Sequence, residues 1–115
     1  MADHVHHTID YVELRAPDLE PARSFYEDAF GWSFNDYGPD YIGIRRGDDE
    51  AGGIARADDP APPLVILYSD DLDASLASVE VAGGVITQPP YAFPGGRRFH
   101  FTDPAGNHLA VWATS

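Results

Sequence analysis

Three short stretches of this 115-residue sequence hold most of the side chains that could do chemistry: "TIDYVELR" with Tyr11 and Glu13, "GRRFHFTD" with Arg98 and His100, and "NHLAVWA" with His108 and Trp112. A glutamate held away from water and from cations gains a raised pKa and can act as a general base. A histidine can carry a proton near neutral pH. Arg97 or Arg98 could meet an acidic group on a ligand, and Trp112 could stack on a flat one. Each residue also has a structural reading. Glu13 could pair with Arg15, Arg45 or Arg98 in a buried ion pair, His100 could be a satisfied sheet histidine, and Trp112 could be a core or dimer contact. His108, directly after a turn, could be exposed and without a role, or join Glu13, His100 and Arg98 as one of the few polar groups of a cleft. Strand alternation sorts these residues by face. Ile9, Tyr11 and Glu13 share one side while Val12 and Leu14 turn toward a helix. Phe99 and Phe101 take the core side, which leaves Arg98 and His100 opposite them. His108, Ala110 and Trp112 share a face.

Other candidate motifs carry less. The chain has no cysteine, which excludes disulfides, zinc-thiolate sites and thiol nucleophiles. "HVHH" supplies His4, His6 and His7, the one cluster with metal-ligand composition, and His4 and His6 alternate onto one side of an extended chain. With Met1 removed, Ala2-Asp3-His4 would form a terminus able to chelate copper or nickel through backbone nitrogens. Adventitious metal binding is the expectation there, in a segment that frays. "FPGGRR" lacks the strand-loop-helix context of a phosphate loop and reads as a turn before a strand.

The composition bounds the partners. Nineteen acidic residues against seven basic ones give a net charge of −12, and every basic residue is arginine. A field of this sign repels phosphate backbones and anionic lipid, so neither nucleic acid nor membrane is expected as a partner. Two explanations fit the charge: a solvated acidic surface of the halophilic kind, or attraction of a cationic ligand. No apolar run approaches the roughly 20 residues needed to cross a bilayer. "MADHVHH" lacks the basic start and apolar stretch of a signal peptide, so the expected location is cytoplasmic.

These residues are positioned by a repeated unit. "DLEPARSFYEDAFGW", Asp18 to Trp32, and "DLDASLASVEVAGGV", Asp71 to Val85, both begin Asp-Leu-acid and run through a helix to glycine, in a constant register. In the first helix Leu19, Ala22, Phe25, Tyr26 and Ala29 recur at spacings of three and four, which predicts one apolar stripe with Phe25 and Tyr26 in the core. Asp18 and Asp71 stand where an N-cap accepts orphan amides. A strand precedes each helix and three short runs with turn signals follow it: "WSFNDYG", "YIGIRRG" and "GGIARA", then "GVITQPP", "GRRFHFTD" and "NHLAVWA". "DPAGN" marks a tight turn before the last strand. The expected fold class is α+β, with a flexible segment over 1–7 and one domain over 8–115. That domain comprises module one at about 8–57, a linker "ADDPAPP", and module two at about 62–113.

Two strand-helix-strand-strand-strand units, with "FYEDAFGW" closing the first helix and "DPAGN" before the last strand, resemble the vicinal oxygen chelate superfamily of glyoxalases, extradiol dioxygenases and bleomycin-resistance proteins. The resemblance runs from about Thr8 to Trp112. It implies two βαβββ modules forming a curled mixed sheet around a cleft, with the helices outside. It also implies a divalent metal bound by His, Gln or Glu from the first and last strand of each module. Those positions fall here on Tyr11, Leu64 and Ala110, with Gly53 as the fourth, so the usual metal is not expected and no other cofactor is called for. The inferred ligand-binding set is Tyr11, Glu13, Leu64, Ile66, Arg98, His100, Ala110 and Trp112, with Glu13 and His100 the catalytic candidates. The leading expectation is metal-independent binding of a small organic molecule by a homodimer, as in the bleomycin-resistance proteins, which bind cationic drugs. Two alternatives stand beside it. One is a lyase, isomerase or dioxygenase-like enzyme using Glu13 with His100 or Tyr11, or a nonstandard metal site of Tyr11, Glu13 and His100. The other is a regulatory or accessory dimer module with a closed cleft.

Overall fold

A computed structural model describes residues 4–115. The chain is α+β and divides into two compact units, residues 11–63 and residues 4–10 with 64–115. The first contains most of β1 (Ile9–Ala16), then α1 (Leu19–Phe30), β2 (Phe34–Asp36), β3 (Tyr41–Arg46) and β4 (Asp49–Arg56). The second contains β5 (Leu64–Tyr68), α2 (Leu72–Val81), β6 (Val85–Phe93), β7 (Gly96–Thr102) and β8 (His108–Ala113). Each is a βαβββ module. Strands lie in the order β2-β3-β4-β1 in one and, as a mirror of it, β5-β8-β7-β6 in the other. β1 runs parallel to β4 and β5 parallel to β8, while the remaining neighbours are antiparallel. The parallel pairs follow from the helical crossover after the first strand of each module.

The predicted caps are in place. Asp18 accepts from the Glu20 amide and Asp71 from the Ala74 amide, each satisfying an orphan donor of its helix. Gly31 ends α1 in the left-handed region at φ 71°, where a side chain would be strained. The "DPAGN" turn is built on Asp103, whose carboxylate accepts from the amides of Ala105 and Asn107 and from Asn107 Nδ2. Those bonds hold the Asp103 carboxyl below its usual pKa, the Asn107 side chain contributing most.

One face of each sheet packs on its helix. In the first unit Leu14, Ala16, Ile42, Ile44 and Ile54 meet Leu19, Ala22 and Tyr26 of α1. In the second, Phe99, Phe101, Val111 and Ala113 meet Leu72, Leu76 and Val79 of α2, and Phe99 is fully buried. Burying a side chain of this size is worth about 1.5–3 kcal/mol relative to leaving it exposed.

The predicted α1 stripe is too wide. Phe25 is 58% exposed and Ala29 is exposed as well, so the core face is Leu19, Ala22 and Tyr26 alone. Phe25 instead meets the edge of the Tyr26 ring at 5.0 Å, on the outer side of the helix. A helix of 12 residues laid on one sheet face turns only about one row of side chains toward it.

β6 also differs from expectation, because it continues through Pro89 and Pro90 to Phe93 instead of ending at the prolines. Its pairing with β7 shifts register between Ile86 and Gln88 and again between Gln88 and Tyr91. As the outer strand of its unit's order, it tolerates residues that cannot donate to a ladder.

Candidate functional site

In each unit the candidate side chains lie on the sheet face away from the helix. In the first unit, alternation along β1 brings Tyr11 and Glu13 to that face, where they meet Tyr41 of β3. The Tyr11 and Tyr41 hydroxyls are 2.8 Å apart, and Tyr41 Oη reaches Glu13 Oε2 at 3.4 Å. Beside them Asn35 Nδ2 donates to Glu50 Oε2 at 2.9 Å, and the Tyr37 hydroxyl donates to the same oxygen. Glycines make the room. Gly43 and Gly53 are partners in the β3–β4 ladder. A Cβ on Gly43 would overlap the Glu50 carboxylate, and one on Gly53 would overlap the Tyr41 hydroxyl and lie 2.6 Å from that of Tyr11. Burial pushes the Tyr11 phenol up to about 12; the Tyr41 hydrogen bond opposes the shift, and the charges of Glu50 and Glu13 add to it. Tyr37 is raised too, chiefly by its hydrogen bond to Glu50. This face is therefore a set of tyrosine hydroxyls bonded to one another and to two glutamates.

In the second unit Arg98, His100, Ala110 and Trp112 share the equivalent face, as alternation requires. Arg98 Nε donates to the Tyr91 hydroxyl, and the guanidinium lies over the rings of Tyr91 and Phe93 at 5.5 and 5.9 Å. Tyr91 Oη is 2.9 Å from His100 Nε2, and the two rings stack at 5.8 Å. His100 faces His108 with ring centroids 5.3 Å apart, and His108 Nε2 lies 3.4 Å from Thr87 Oγ1. Thr87, Gln88, Tyr91, His100 and His108 together line an open groove of about 450 Å³. Trp112 is drawn elsewhere: its Nε1 donates to Asp10 Oδ2 at 3.0 Å, and its ring meets those of Tyr68 and His4. Ile66 and Ala110, partners in the β5–β8 ladder, are 3% and 0% exposed, and Leu64 at the start of β5 is half-buried.

The three histidines of "HVHH" each have a partner in the second unit. His4 Nδ1 is 2.8 Å from Asp10 Oδ1, with its ring stacked on Tyr68. His6 Nδ1 accepts from the Asp70 amide, and His7 Nε2 is 2.8 Å from the Ser75 hydroxyl. The Ala2-Asp3-His4 chelate lies partly outside the described residues.

Sequence reasoning brought Tyr11 with Glu13, and Arg98 with His100, onto their faces. It missed Asn35, Tyr37, Tyr41 and Glu50 in the first unit. In the second it missed Thr87, Gln88 and Tyr91, while His108 is exposed as expected and lines the groove. β4 starts at Asp49, earlier than "GGIARA" suggests, and a register shift between Ile44 and Arg45 turns Glu50 onto the face of Tyr37 and Asn35.

The repeated βαβββ architecture matches known proteins. The profile of the Glyoxalase/Bleomycin resistance protein/Dioxygenase superfamily covers residues 8–111. The chain belongs to this superfamily. Within it, a putative glyoxylase, CFP32, of Mycobacterium tuberculosis is 29% identical over 91% of this chain and 45% of its own length. The anthracycline biosynthesis protein DnrV of Streptomyces peucetius is likewise 29% identical, over 89% of this chain and 45% of its own. This superfamily member thus spans about half the length of those curated relatives. Among solved structures, the Mn(II)-bound glyoxalase from Novosphingobium aromaticivorans has a TM-score of 0.70 at 26% identity, over 96% of this chain and 40% of that one. Methylmalonyl-CoA epimerase from Mycobacterium tuberculosis, at 14% identity and a TM-score of 0.68 over 100% of this chain and 93% of that one, shares the fold.

Proposed function

We propose that this superfamily domain binds a small organic molecule without a metal, in the groove bordered by β6, β7 and β8. The groove itself carries the reading. Its volume of about 450 Å³ suits a small molecule, and its lining combines the rings of Tyr91, His100 and His108 with two further polar side chains, Thr87 and Gln88. Aromatic and imidazole faces supply contact area, while a few placed hydrogen-bonding groups fix orientation.

The residues at the four positions where the family resemblance puts metal ligands do not fit a metal. Leu64, Ala110 and Gly53 have no donor atom, and a side chain at Gly53 would collide with two tyrosine hydroxyls. Tyr11, with its phenol pushed up to about 12, holds its proton where an anionic ligand is wanted. Among the described residues no group of three or more His, Asp or Glu is placed to hold a metal ion. No step of the proposed function is routed through one.

The test is a thermal-shift screen of protein kept in EDTA, against a library of aromatic and amphiphilic compounds at high salt. A true ligand at about 100 times its Kd adds about 2.7 kcal/mol to the folded state and raises Tm by several degrees. His108→Ala, an exposed position, should reduce that shift without lowering the Tm of the unliganded protein by more than a degree or two. Absence of any stabilising compound, or stabilisation that appears only when a divalent metal is added, would sink the proposal.

A further inference from the structure

α1 ends in a cluster of rings that its sheet does not cover. Phe25 is 58% exposed, Phe30 66% and Trp32 37%, and Tyr26, packed against the core, holds them together. Tyr26 stacks on Trp32 at 4.7 Å and 10°, lies beside Phe30 at 6.4 Å and meets Phe25 at 5.0 Å and 80°. Phe25 and Phe30 meet in turn at 6.5 Å and 85°. Rings that brace one another in this way are already ordered, so little side-chain freedom is left to lose on docking. At about 200 Å² per side chain, the three exposed rings leave about 300 Å² of aromatic surface in water, the size at which a patch on a monomer often serves binding.

The charge beside the patch has one sign. Asp28 follows Phe25 by three residues and Glu27 precedes Phe30 by three, so each acid is a helix-surface neighbour of an exposed ring. Both lie in the last turn of α1, where the helix dipole favours cations, and that turn holds no basic residue. Arg23, one turn before Glu27, has Asp36 as its own partner. Among the described residues no arginine or histidine forms an ion pair with Glu27 or Asp28. From these two features, unburied rings and an acidic helix end, we infer that the C-terminal end of α1 docks a cationic amphipathic segment of another protein. The segment's apolar side chains rest on Phe25, Phe30 and Trp32, and its lysines or arginines meet Glu27, Asp28 and the negative end of the helix. A guanidinium over the face of Phe30 or Trp32 adds a cation–π contact. A second copy of this chain fits less well. About 300 Å² falls well short of the roughly 800 Å² per partner that a stable pairing buries, and two chains of net charge −12 would bring like acids together. This surface belongs to the first unit and is independent of the groove reading.

Three labelled peptides of about 14 residues test this by fluorescence anisotropy at fixed ionic strength: an amphipathic Leu/Lys helix, the same residues in an order that scatters the leucines, and a Leu/Glu counterpart of the first. The Leu/Lys helix is expected to bind at least about fivefold tighter than the scattered peptide, and the Leu/Glu peptide not at all. Phe25→Ser with Phe30→Ser, both at exposed positions, should weaken binding at least about tenfold and leave the circular dichroism spectrum unchanged. Glu27→Gln with Asp28→Asn should weaken it about fivefold, and this pair decides the question if the phenylalanine pair does not fold. Equal binding of the ordered and scattered peptides, or of the parent and the phenylalanine pair, reduces the contact to general charge attraction and overturns the inference. Unchanged binding by the Glu27 and Asp28 pair, binding of the Leu/Glu peptide as tight as that of Leu/Lys, or no binding by any peptide overturns it as well. Sedimentation velocity of the parent over a concentration series tests the other occupant: self-association that the phenylalanine pair abolishes gives the patch to a second copy and overturns the assignment.

Discussion

Gly52 and Gly53 are neighbours on β4, and the geometry assigns them very different sensitivities to an added methyl group. A Cβ on Gly52 would overlap the Val12 carbonyl oxygen and lie 3.0 Å from its carbon and 3.3 Å from the Val12 nitrogen, all backbone atoms of the partner strand. Backbone cannot rotate away, so β1 and β4 must part by about 1 Å, which takes the adjacent ladder bonds beyond hydrogen-bonding distance. Losing two such bonds costs about 2 kcal/mol, and the overpacking about 1–3 kcal/mol. Stiffening of the unfolded chain returns about 0.4–1 kcal/mol. The expected net loss for Gly52→Ala is therefore about 3 kcal/mol, or a fall of roughly 10–15 °C in Tm for a chain this size. At Gly53 the obstacles are the ends of two tyrosine side chains, which can swing aside. Gly53→Ala should break the 2.8 Å Tyr11–Tyr41 bond at a cost of about 1 kcal/mol while leaving the strands paired. Urea unfolding of both variants measures the difference, and ultraviolet titration of tyrosine reads the broken pair. Equal losses at the two positions, or a Gly52→Ala protein within 1 kcal/mol of the parent, would refute the reasoning.

Two further predictions concern pH. Tyr11 has a folded pKa of about 12 against an ordinary 10.0, so the folded state keeps a proton that the unfolded chain releases. The associated stability is fully present below pH 10 and is lost as pH rises through about 12. Tyr11→Phe should flatten that decline and remove a step of phenolate absorbance near pH 12, and a parent protein whose tyrosines all titrate near 10 would contradict it. Asp103 has a depressed pKa, so its contribution is present above the ordinary carboxylate value of 3.8 and disappears as pH falls below it. Asp103→Ala should lower Tm at pH 7 and narrow the gap between the variant and the parent near pH 2, as followed by circular dichroism.

The architecture was legible because it is written in local signals that repeat. The Asp-Leu-acid openings at Asp18 and Asp71 became helix caps, and Asp103 with Gly106 made the turn that aims β8. Faces were legible wherever strands were regular: Phe99 and Phe101 went to the core and Arg98 and His100 to the other side. Two features defeated that reading. Pro89 and Pro90 look like a strand end, yet two register shifts on an outer strand carry β6 past them and deliver Tyr91 to His100. The "DDE" run looks like solvated surface charge, yet the shift after Ile44 turns Glu50 under Tyr37 and Asn35, over a glycine that leaves it space. Irregular pairing depends on two strands at once, so neither strand's sequence announces it. Phe25 failed differently: its spacing fits the stripe, yet only the row Leu19, Ala22 and Tyr26 faces the sheet.

The most direct test of metal-independent binding is a calorimetric titration of one compound from the thermal-shift screen into protein dialysed against EDTA, repeated after adding one equivalent of Mn(II). The account predicts saturation at one molecule per chain with the same Kd in both. Binding that appears only once the metal is present would contradict it.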